Sequence, residues 1–326
     1  MRPASPPRLH FASNFDFEAA VVAPFRMQTG MRRLPAGAAQ LTPLQPGSRH
    51  QREKLAVLTA FWPQALCHQT GFDATPALRT LFSHAASEHP GAWAWDGSSA
   101  EALWLATAVA ADGNVVQRQP GQFGLGDEVA RCLNGLPPAW RQAGLAALAF
   151  AEDFAIVDGQ SGHVPWLAVC LPSHWAPEEK LGRHFTEVHA PVADNILLLK
   201  ATEGLMRVVT GPDRWERFVW NVSDHPRLHA HPARVDGQRW QHTAVAGAWF
   251  RSERQTFIPL HAAAHAVFTI QVQVQPLAAV LDSPARAQAL HDAVASMSEA
   301  VLTYRSLRGV RGPLLAWLAA RARAPA

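Results

Sequence analysis

The sequence of 326 residues predicts an α+β protein, in which helices cover an antiparallel sheet. Two extended runs, at residues 154–157 and 166–171, flank the turn sequence DGQSG, a pattern typical of a β-hairpin. Three more strands are predicted at 217–222, 248–260 and 267–274, with a short connection between the last two. Short connections favour antiparallel pairing over a doubly wound parallel sheet.

The helices are predicted from apolar spacing and from capping residues. Ser48 and Pro63 bound one helix, and Thr75 before a proline is typical of a helix start. The predicted helices cover residues 49–61, 75–87, 138–152, 177–184, 195–209, 284–307 and 310–321. A short strand is expected at 92–95, and residues 103–119 fit a strand or a helix.

The chain divides into three parts. Residues 1–46 are rich in proline and glycine, which predicts an arm packed on the core. Residues 47–282 hold the predicted sheet and most of the helices, and residues 283–326 form a C-terminal helical segment. We find neither a signal-peptide pattern nor an apolar stretch of membrane-spanning length, so we expect a cytoplasmic protein.

Composition narrows the possible functions. Hydrophobic residues make up 48% and charged residues 17%, which allows a sizeable core and excludes extensive disorder. The net charge is only +3 and no Lys/Arg run occurs, so a nucleic-acid partner is not expected. Cys67, Cys132 and Cys170 form no CxxC motif and cannot hold an iron–sulfur cluster, which favours reduced thiols.

Sixteen histidines raise the question of a metal site. His225, His229 and His231 share a proline-containing loop without a companion cysteine, so a solvated loop is the simpler interpretation. His261 and His265 have the i,i+4 spacing of helical zinc ligands. They lack the glutamate of HExxH and lie between predicted strands, which favours a hairpin turn. Neither a GxSxG elbow nor a dinucleotide glycine pattern occurs.

His189 has distinctive surroundings. It follows a predicted helix, and Pro191 disfavours helical backbone at Ala190, so we expect a rigid turn. Its neighbours along the chain are apolar, namely Phe185, Val188, Val192, Ile196 and residues 197–199. A neutral imidazole at a rigid corner over an apolar cavity is what a heme ligand requires. The residues alone leave two interpretations: a buried structural histidine, which is the simpler one, and an iron ligand.

Polar residues fill the predicted strand at 251–256, between apolar flanks. Alternation sends Arg251, Glu253 and Gln255 to one face of the sheet and Ser252, Arg254 and Thr256 to the other. A solvated edge strand explains such polarity, but the apolar flanks favour a buried strand, whose polar groups then need partners. An arginine here is able to hold a carboxylate, and Glu253 a cationic amine.

Four segments of the chain resemble the family of haem-dependent oxidative N-demethylases. They are LPSHWAPEEKLGR at 171–183 followed by VHAPV at 188–192, RSERQT at 251–256 followed by VFTI at 267–270, PFRM at 24–27 with GMRRL at 30–34, and AEDF at 151–154. The resemblance touches most of the chain and is specific from about residue 150 to 275. It implies a PAS-like antiparallel sheet around heme b within residues 47–282.

The resemblance also implies an activity and the residues that carry it. The implied reaction is the oxidation of dimethylamine, or a similar small secondary amine, to formaldehyde and a smaller amine with O2. His189 in the HAPV motif is the implied iron ligand. Glu253 and Arg251 are the implied catalytic candidates, and Arg254, Gln255 and Arg26 are candidates for cofactor contacts.

Partners follow from the same resemblance. The chain has no cluster-forming cysteines and no convincing flavin or NAD(P)H motif. The resemblance implies a separate flavin/iron–sulfur reductase using NADPH, and a folate-linked subunit that accepts formaldehyde; neither nucleic acid nor a membrane is implied. Two alternatives remain: a PAS-like heme sensor or degenerate subunit without turnover, and a heme-free structural subunit.

Overall fold

The computed structural model describes residues 15–190, 192–194, 196, 202–260 and 264–324, with only the backbone at 202 and 203. Within these ranges the protein combines helices with antiparallel sheets, which confirms the α+β class. No helix in them is both long and apolar enough to cross a bilayer. The PAS-like character and the division into arm, core and C-terminal segment stay predictions; residues 1–14 of the arm lie outside the described residues.

Short strands alternate with helices in the first half of the chain, and the long strands come later. The helices are α1 (Phe17–Ala20), α2 (Arg49–Ala60), α3 (Trp62–Ala65), α4 (Thr75–Glu88), α5 (Glu128–Gly135), α6 (Arg141–Ala149), α7 (Phe185–His189), α8 (Thr202–Val209), α9 (Leu277–Val280), α10 (Pro284–Ala295), α11 (Glu299–Tyr304) and α12 (Arg311–Ala322). The strands are β1 (Arg32–Arg33), β2 (Leu66–His68), β3 (Trp93–Trp95), β4 (Ala100–Ala102), β5 (Thr107–Val109), β6 (Val115–Gln117), β7 (Glu152–Asp158), β8 (Trp166–Ala168), β9 (Trp215–Ser223), β10 (Trp249–Leu260) and β11 (His265–Pro276).

The main sheet has the strand order β1-β9-β10-β11-β7-β8-β2, and its pairs are antiparallel. A smaller antiparallel sheet has the order β3-β4-β5-β6. The predicted hairpin is confirmed as β7 and β8, and the three later strands as β9, β10 and β11. The long strands β10 and β11 pair from Trp249↔Pro276 to Leu260↔His265 and form the centre of the sheet.

Two predicted helices end earlier than expected. The helix predicted at 138–152 is a 3-10 turn at Pro138–Trp140 followed by α6, which ends at Ala149. The chain then enters β7, because pairing with β11 overrides its continuous apolar pattern. The helix predicted at 284–307 is split into α10 and α11, because the Ser298 side chain caps the first turn of α11.

Three further expectations are refined. The helix predicted at 177–184 is only a 3-10 turn at Pro177–Glu179, and the helical turn lies instead at α7. Of the helix predicted at 195–209, the structure describes α8. The ambiguous segment 103–119 contains a 3-10 turn at Leu103–Leu105 and then strands β5 and β6.

The two faces of the main sheet are covered differently. On the helix face, Ile156 and Ile258 share a hydrophobic core with α2, α4 and α6. On the opposite face, which we call the site face, Phe257 and Phe268 stack on each other and pack with α8. The C-terminal helices α10, α11 and α12 share a second core with Phe250, near the other end of β10.

A fully buried ion pair links the helix layer to the sheet. The Nζ atom of Lys54 in α2 lies 3.1 Å from Oδ1 of Asp153 in β7, and neither side chain is more than 1% exposed. Lys54 also donates to the backbone carbonyls of Phe150 and Glu152. The other carboxylate oxygen of Asp153 accepts the N–H of Leu171 at 2.6 Å. The pair therefore fixes the start of the loop after β8.

We expect Lys54→Met to destabilise the protein by about 3–5 kcal/mol, because it leaves the Asp153 charge buried without a partner. The double variant Lys54→Met/Asp153→Leu should be more stable than Lys54→Met, since no buried charge remains. Arg131→Ala, which removes an exposed pair with Asp127, is the control and should cost at most about 1 kcal/mol. Urea unfolding measures all three; equal losses in the single and double variants would contradict this role.

Candidate functional site

A reciprocal cap creates the short helix α7. The ring Nδ1 of His184 accepts the N–H of Thr186 at 3.3 Å, and the carboxylate of Glu187 accepts the N–H of His184 at 3.2 Å. These two bonds satisfy N–H groups that a helix start leaves unpaired. The sequence HFTEVH thus forms one helical turn, although it is too short to be recognised from apolar periodicity.

Helix α7 packs on the site face through its apolar residues. Phe185 packs against the cluster that contains Phe257, and Val188 against the cluster that contains Ala155. Phe268 lies beside both clusters. His189 is the last residue of α7, so this packing determines where its imidazole lies.

The His189 imidazole is held by its own helix. Its Nδ1 lies 2.8 Å from the backbone carbonyl oxygen of Phe185. The imidazole ring also packs on the phenyl ring of Phe185, with 4.0 Å between the ring centroids. Because a carbonyl oxygen only accepts, Nδ1 carries the proton and Nε2 carries the lone pair, as in a metal-ligating tautomer. Burial lowers the pKa of His189 to about 4; the charges of Arg217 and Lys180 act in the same direction, while the bond to Phe185 opposes them. The imidazole is therefore neutral at neutral pH.

The prediction that Pro191 keeps Ala190 out of the helical region is wrong. Ala190 has φ −57° and ψ −37°, which is helical backbone, whereas the proline after it was expected to exclude that conformation. Pro191 itself lies outside the described residues. The position of the ring comes instead from the cap at His184 and from the bond between Nδ1 and the Phe185 carbonyl.

Arg217 of β9 lies on the same face of the sheet. It is the direct cross-strand partner of Gln255 in β10, and the side chains of such partners are neighbours on one face. Its Nε atom is buried and has no hydrogen-bond partner among the described residues. Burial lowers the pKa of Arg217, and the negative charge of Glu253 partly opposes this shift. The described part of the site face therefore carries a half-buried arginine whose buried Nε has no acceptor there.

Glu253 is held by two neutral side chains. Ser173 Oγ donates a short hydrogen bond to Oε1, and Gln255 Nε2 donates to Oε2 at 2.6 Å. The Glu253 side chain is 8% exposed. Each carboxylate oxygen accepts one of these bonds and can accept another. Glu253 therefore has the capacity to bind an ammonium group.

Arg251 supports the loops around the site and is 2% exposed. Its Nε donates to Ser173 Oγ at 2.7 Å. Its terminal nitrogens donate to the backbone carbonyls of Arg227, Leu171, Pro172 and Leu228. Through these bonds Arg251 positions Ser173 and hence Glu253.

Arg254 and Arg26 are not brought to His189. Arg254 points to the helix face, where its Nε donates to Glu216 at 2.9 Å. Arg26 is exposed and lines a pocket of about 210 Å³ with Asp194 and Ser298. Of the predicted site residues, Glu253, Gln255 and Arg251 share the site face with His189, as the alternation along β10 predicts. Cofactor contacts by Arg254 and Arg26 stay predictions.

The histidines after β9 are packed in the protein, so the prediction of a solvated loop is wrong. His225 lies edge-on to His174, 5.2 Å between ring centroids, and His231 is 3% exposed. Burial lowers the pKa of His174 to about 3 and that of His225 to about 4. The positive charge of Arg239 is the second-largest cause of both shifts. Asp224 holds Arg239 at 2.6 Å.

The remaining histidines and the cysteines do not form a metal site in the described part of the chain. No group of three or more His, Cys, Asp or Glu side chains suited to a metal ion occurs among the described residues. His265 begins β11 and lies 3.7 Å from Asp158, while His261 lies outside the described residues. The three cysteines are free and buried.

A separate pocket lies away from these residues. It has a volume of about 670 Å³ and lies between α2 and α5, with Phe123 as one wall. Its lining contains no histidine, and burial raises the pKa of its cysteine, Cys132. None of the predicted site residues lines it.

Sequence reasoning missed Arg217 and Ser173. Arg217 lies at the start of a predicted strand, and alternation along β9 places it on one face, but only the register with β10 shows which face. Ser173 lies in a loop, where no periodic pattern indicates which way its side chain points. A hydroxyl placed between a buried arginine and a buried glutamate is an expected bridge once their positions are known.

The fold and the site define an α+β protein that presents a neutral histidine and a half-buried arginine on one face of an antiparallel sheet. The chain belongs to the family described as haem-dependent oxidative N-demethylase, alpha subunit-like, which matches residues 137–315, more than half of the chain. The match confirms the resemblance and includes β7 to β11. The family name implies heme, an oxidoreductase and a multi-subunit enzyme. No curated protein matches the chain.

We expect the heme-free protein to lose stability as the pH falls from 7.0 to 5.5. His174, His189 and His225 have folded-state pKa values of about 3, 4 and 4, below the unfolded value near 6.5. Their contribution is therefore complete above pH 6.5 and is lost as the unfolded state takes up protons below it. Urea unfolding across this range measures the slope.

The variant His225→Gln should flatten that slope, because one of the three titrating groups is removed. His242→Gln, which changes an exposed histidine, is the matched control and should leave the slope unchanged. Identical pH profiles for the parent protein and His225→Gln would contradict the assignment.

Proposed function

We propose that this protein binds heme b through His189 and uses it for oxidative N-demethylation of a small secondary amine such as dimethylamine. The observation that carries the proposal is the neutral His189 imidazole, whose Nδ1 is held by the Phe185 carbonyl at 2.8 Å. This bond directs Nε2 for ligation and raises the basicity of the ligand. Family membership supplies the cofactor and the class of reaction.

The residues of the site face fit heme. The aromatic and aliphatic side chains of Phe185, Val188 and Phe268 suit the apolar faces of a porphyrin. Arg217 adds a buried nitrogen without a partner among the described residues, and heme is a dianion through its carboxylates. An imidazole, apolar walls and an unpaired cation are the groups that an anionic iron porphyrin requires.

Heme, when bound, supplies the oxidation of an N-methyl carbon with O2. The residues of the chain bind, orient and exclude water. His189 holds the iron, and Phe185 keeps its ring in one orientation. Glu253 orients the ammonium group of the substrate by a charge-assisted hydrogen bond, while Ser173 and Gln255 keep its carboxylate in place. Formaldehyde and a smaller amine are the products.

The electrons come from a partner in this proposal. The sequence has only three cysteines, Cys67, Cys132 and Cys170, fewer than the four thiolates of an iron–sulfur cluster. We propose a flavin/iron–sulfur reductase that uses NADPH, and a folate-linked subunit that takes the formaldehyde. The family name, which describes an alpha subunit, supports an assembly with other subunits.

The first test is the absorption spectrum during titration of the purified protein with heme. We expect a Soret band, a loss of about tenfold or more in heme affinity in His189→Ala, and partial rescue of the axial-ligand spectrum by added imidazole. His242→Ala, an exposed change, is the control. An unaltered spectrum in His189→Ala would remove the ligand assignment, and the absence of a Soret band in the parent protein would favour a heme-free subunit.

The second test is formaldehyde release from dimethylamine with a chemical reductant and O2. We expect Glu253→Gln to raise KM for the amine by about 10- to 100-fold, the range for losing a hydrogen bond to a charged group. The Soret band should stay unchanged, and Glu299→Gln, on an exposed glutamate, is the control. Heme binding without formaldehyde in the parent protein would favour a sensor or a degenerate subunit.

A further inference from the structure

Arg217 differs from Arg251 and Arg254, the two buried arginines of β10. Arg254 pairs with Glu216 at 2.9 Å, and Arg251 donates to one hydroxyl and four backbone carbonyls. Arg217 is half-buried, and the structure shows for it no side-chain hydrogen bond and no ion pair among the described residues. Its Nε atom is nevertheless buried, so the described part of the protein leaves this donor without an acceptor.

A buried hydrogen-bond donor without a partner is costly. Removing the N–H of a charged group from water costs free energy unless a hydrogen bond compensates. The charge of Glu253 affects Arg217. However, its two oxygens accept from Ser173 and Gln255 and lie beyond ion-pair distance of Arg217. The described residues therefore offer the buried Nε of Arg217 no anionic acceptor.

The location of Arg217 limits which anion can pair with it. Arg217 lies on the site face opposite Gln255, and its charge acts on both His189 and Glu253. The proposed substrate is a cation, which Arg217 repels and Glu253 attracts. A carboxylate of the proposed cofactor is the anion that must be bound on the same face, and a guanidinium binds carboxylates in a two-bond geometry.

We propose that Arg217 is the counter-ion of a heme propionate and anchors the cofactor on the site face. This inference rests on the proposed heme function and adds a residue that the polar run of β10 does not contain. It also divides the face into two parts, with the cofactor carboxylate at Arg217 and the amine at Glu253. Arg217 is a cofactor-binding residue in this arrangement.

The test is a thermodynamic cycle of two proteins and two ligands. The proteins are the parent chain and Arg217→Met; the ligands are ferric heme and its dimethyl ester, in which both carboxylates are neutral. Dissociation constants come from Soret titrations. We expect the parent to bind heme about 10- to 100-fold more tightly than the ester, as for a hydrogen bond between charged groups. Arg217→Met should show little or none of this preference.

Two further variants complete the design. Arg217→Lys keeps the charge but not the two-bond geometry, and should retain part of the preference for heme. Arg33→Met, on an exposed arginine at the edge of the same sheet, is the matched control and should behave as the parent does. Circular dichroism checks that each variant is folded; if Arg217→Met is not, Arg217→Lys and the parent complete the comparison.

The outcomes separate this inference from the proposed function. No heme binding by the parent would refute the function itself. His189-dependent heme binding with the same preference for heme over ester in the parent and in Arg217→Met would overturn only the role of Arg217. Equal affinity of the parent for heme and its ester would overturn it without any variant, because no carboxylate would then contribute to binding.

Discussion

One buried guanidinium holds the site face in its shape. Arg251 extends from β10 to two loops and donates to carbonyl oxygens of Leu171 and Pro172 in one loop and of Arg227 and Leu228 in the other. Without these bonds the carbonyls would lie in the protein interior without donors. Because the five donors of a guanidinium have a fixed arrangement, the two loops are fixed relative to each other and to the strand.

The helix layer and the site face are linked at Leu171. Its N–H is bound by Asp153, which the Lys54 ammonium group holds from α2, and its carbonyl is bound by Arg251. The strand register places Asp153 and Arg251 on the same face of the sheet. The helix layer therefore helps to position Ser173, two residues further on.

The sequence predicts most of the fold, because hairpin turns and long alternating strands are local features. It also predicts that Glu253 and Gln255 share one face, since this depends only on alternation along one strand. The boundaries at residues 138–152 and 284–307 were wrong, because strand pairing and a serine cap outweigh continuous apolar spacing.

The remaining parts of the site depend on interactions between distant segments. Arg217 lies on the site face only because of the β9–β10 register, and the His189 ring is fixed by a bond within a helix of five residues. The charges of Arg239 and Asp224 act on His225, and these two residues form an ion pair although they are 15 positions apart in the sequence. None of these relations has a local sequence pattern.

The hydroxyl of Ser173 has a consequence for how this family diverges. It accepts from Arg251 and donates to Glu253, so a single oxygen satisfies a cation on one side and an anion on the other. Replacing Ser173 alone therefore removes one partner from each of the two buried charges. Changes at positions 173, 251 and 253 are thus expected to be coupled.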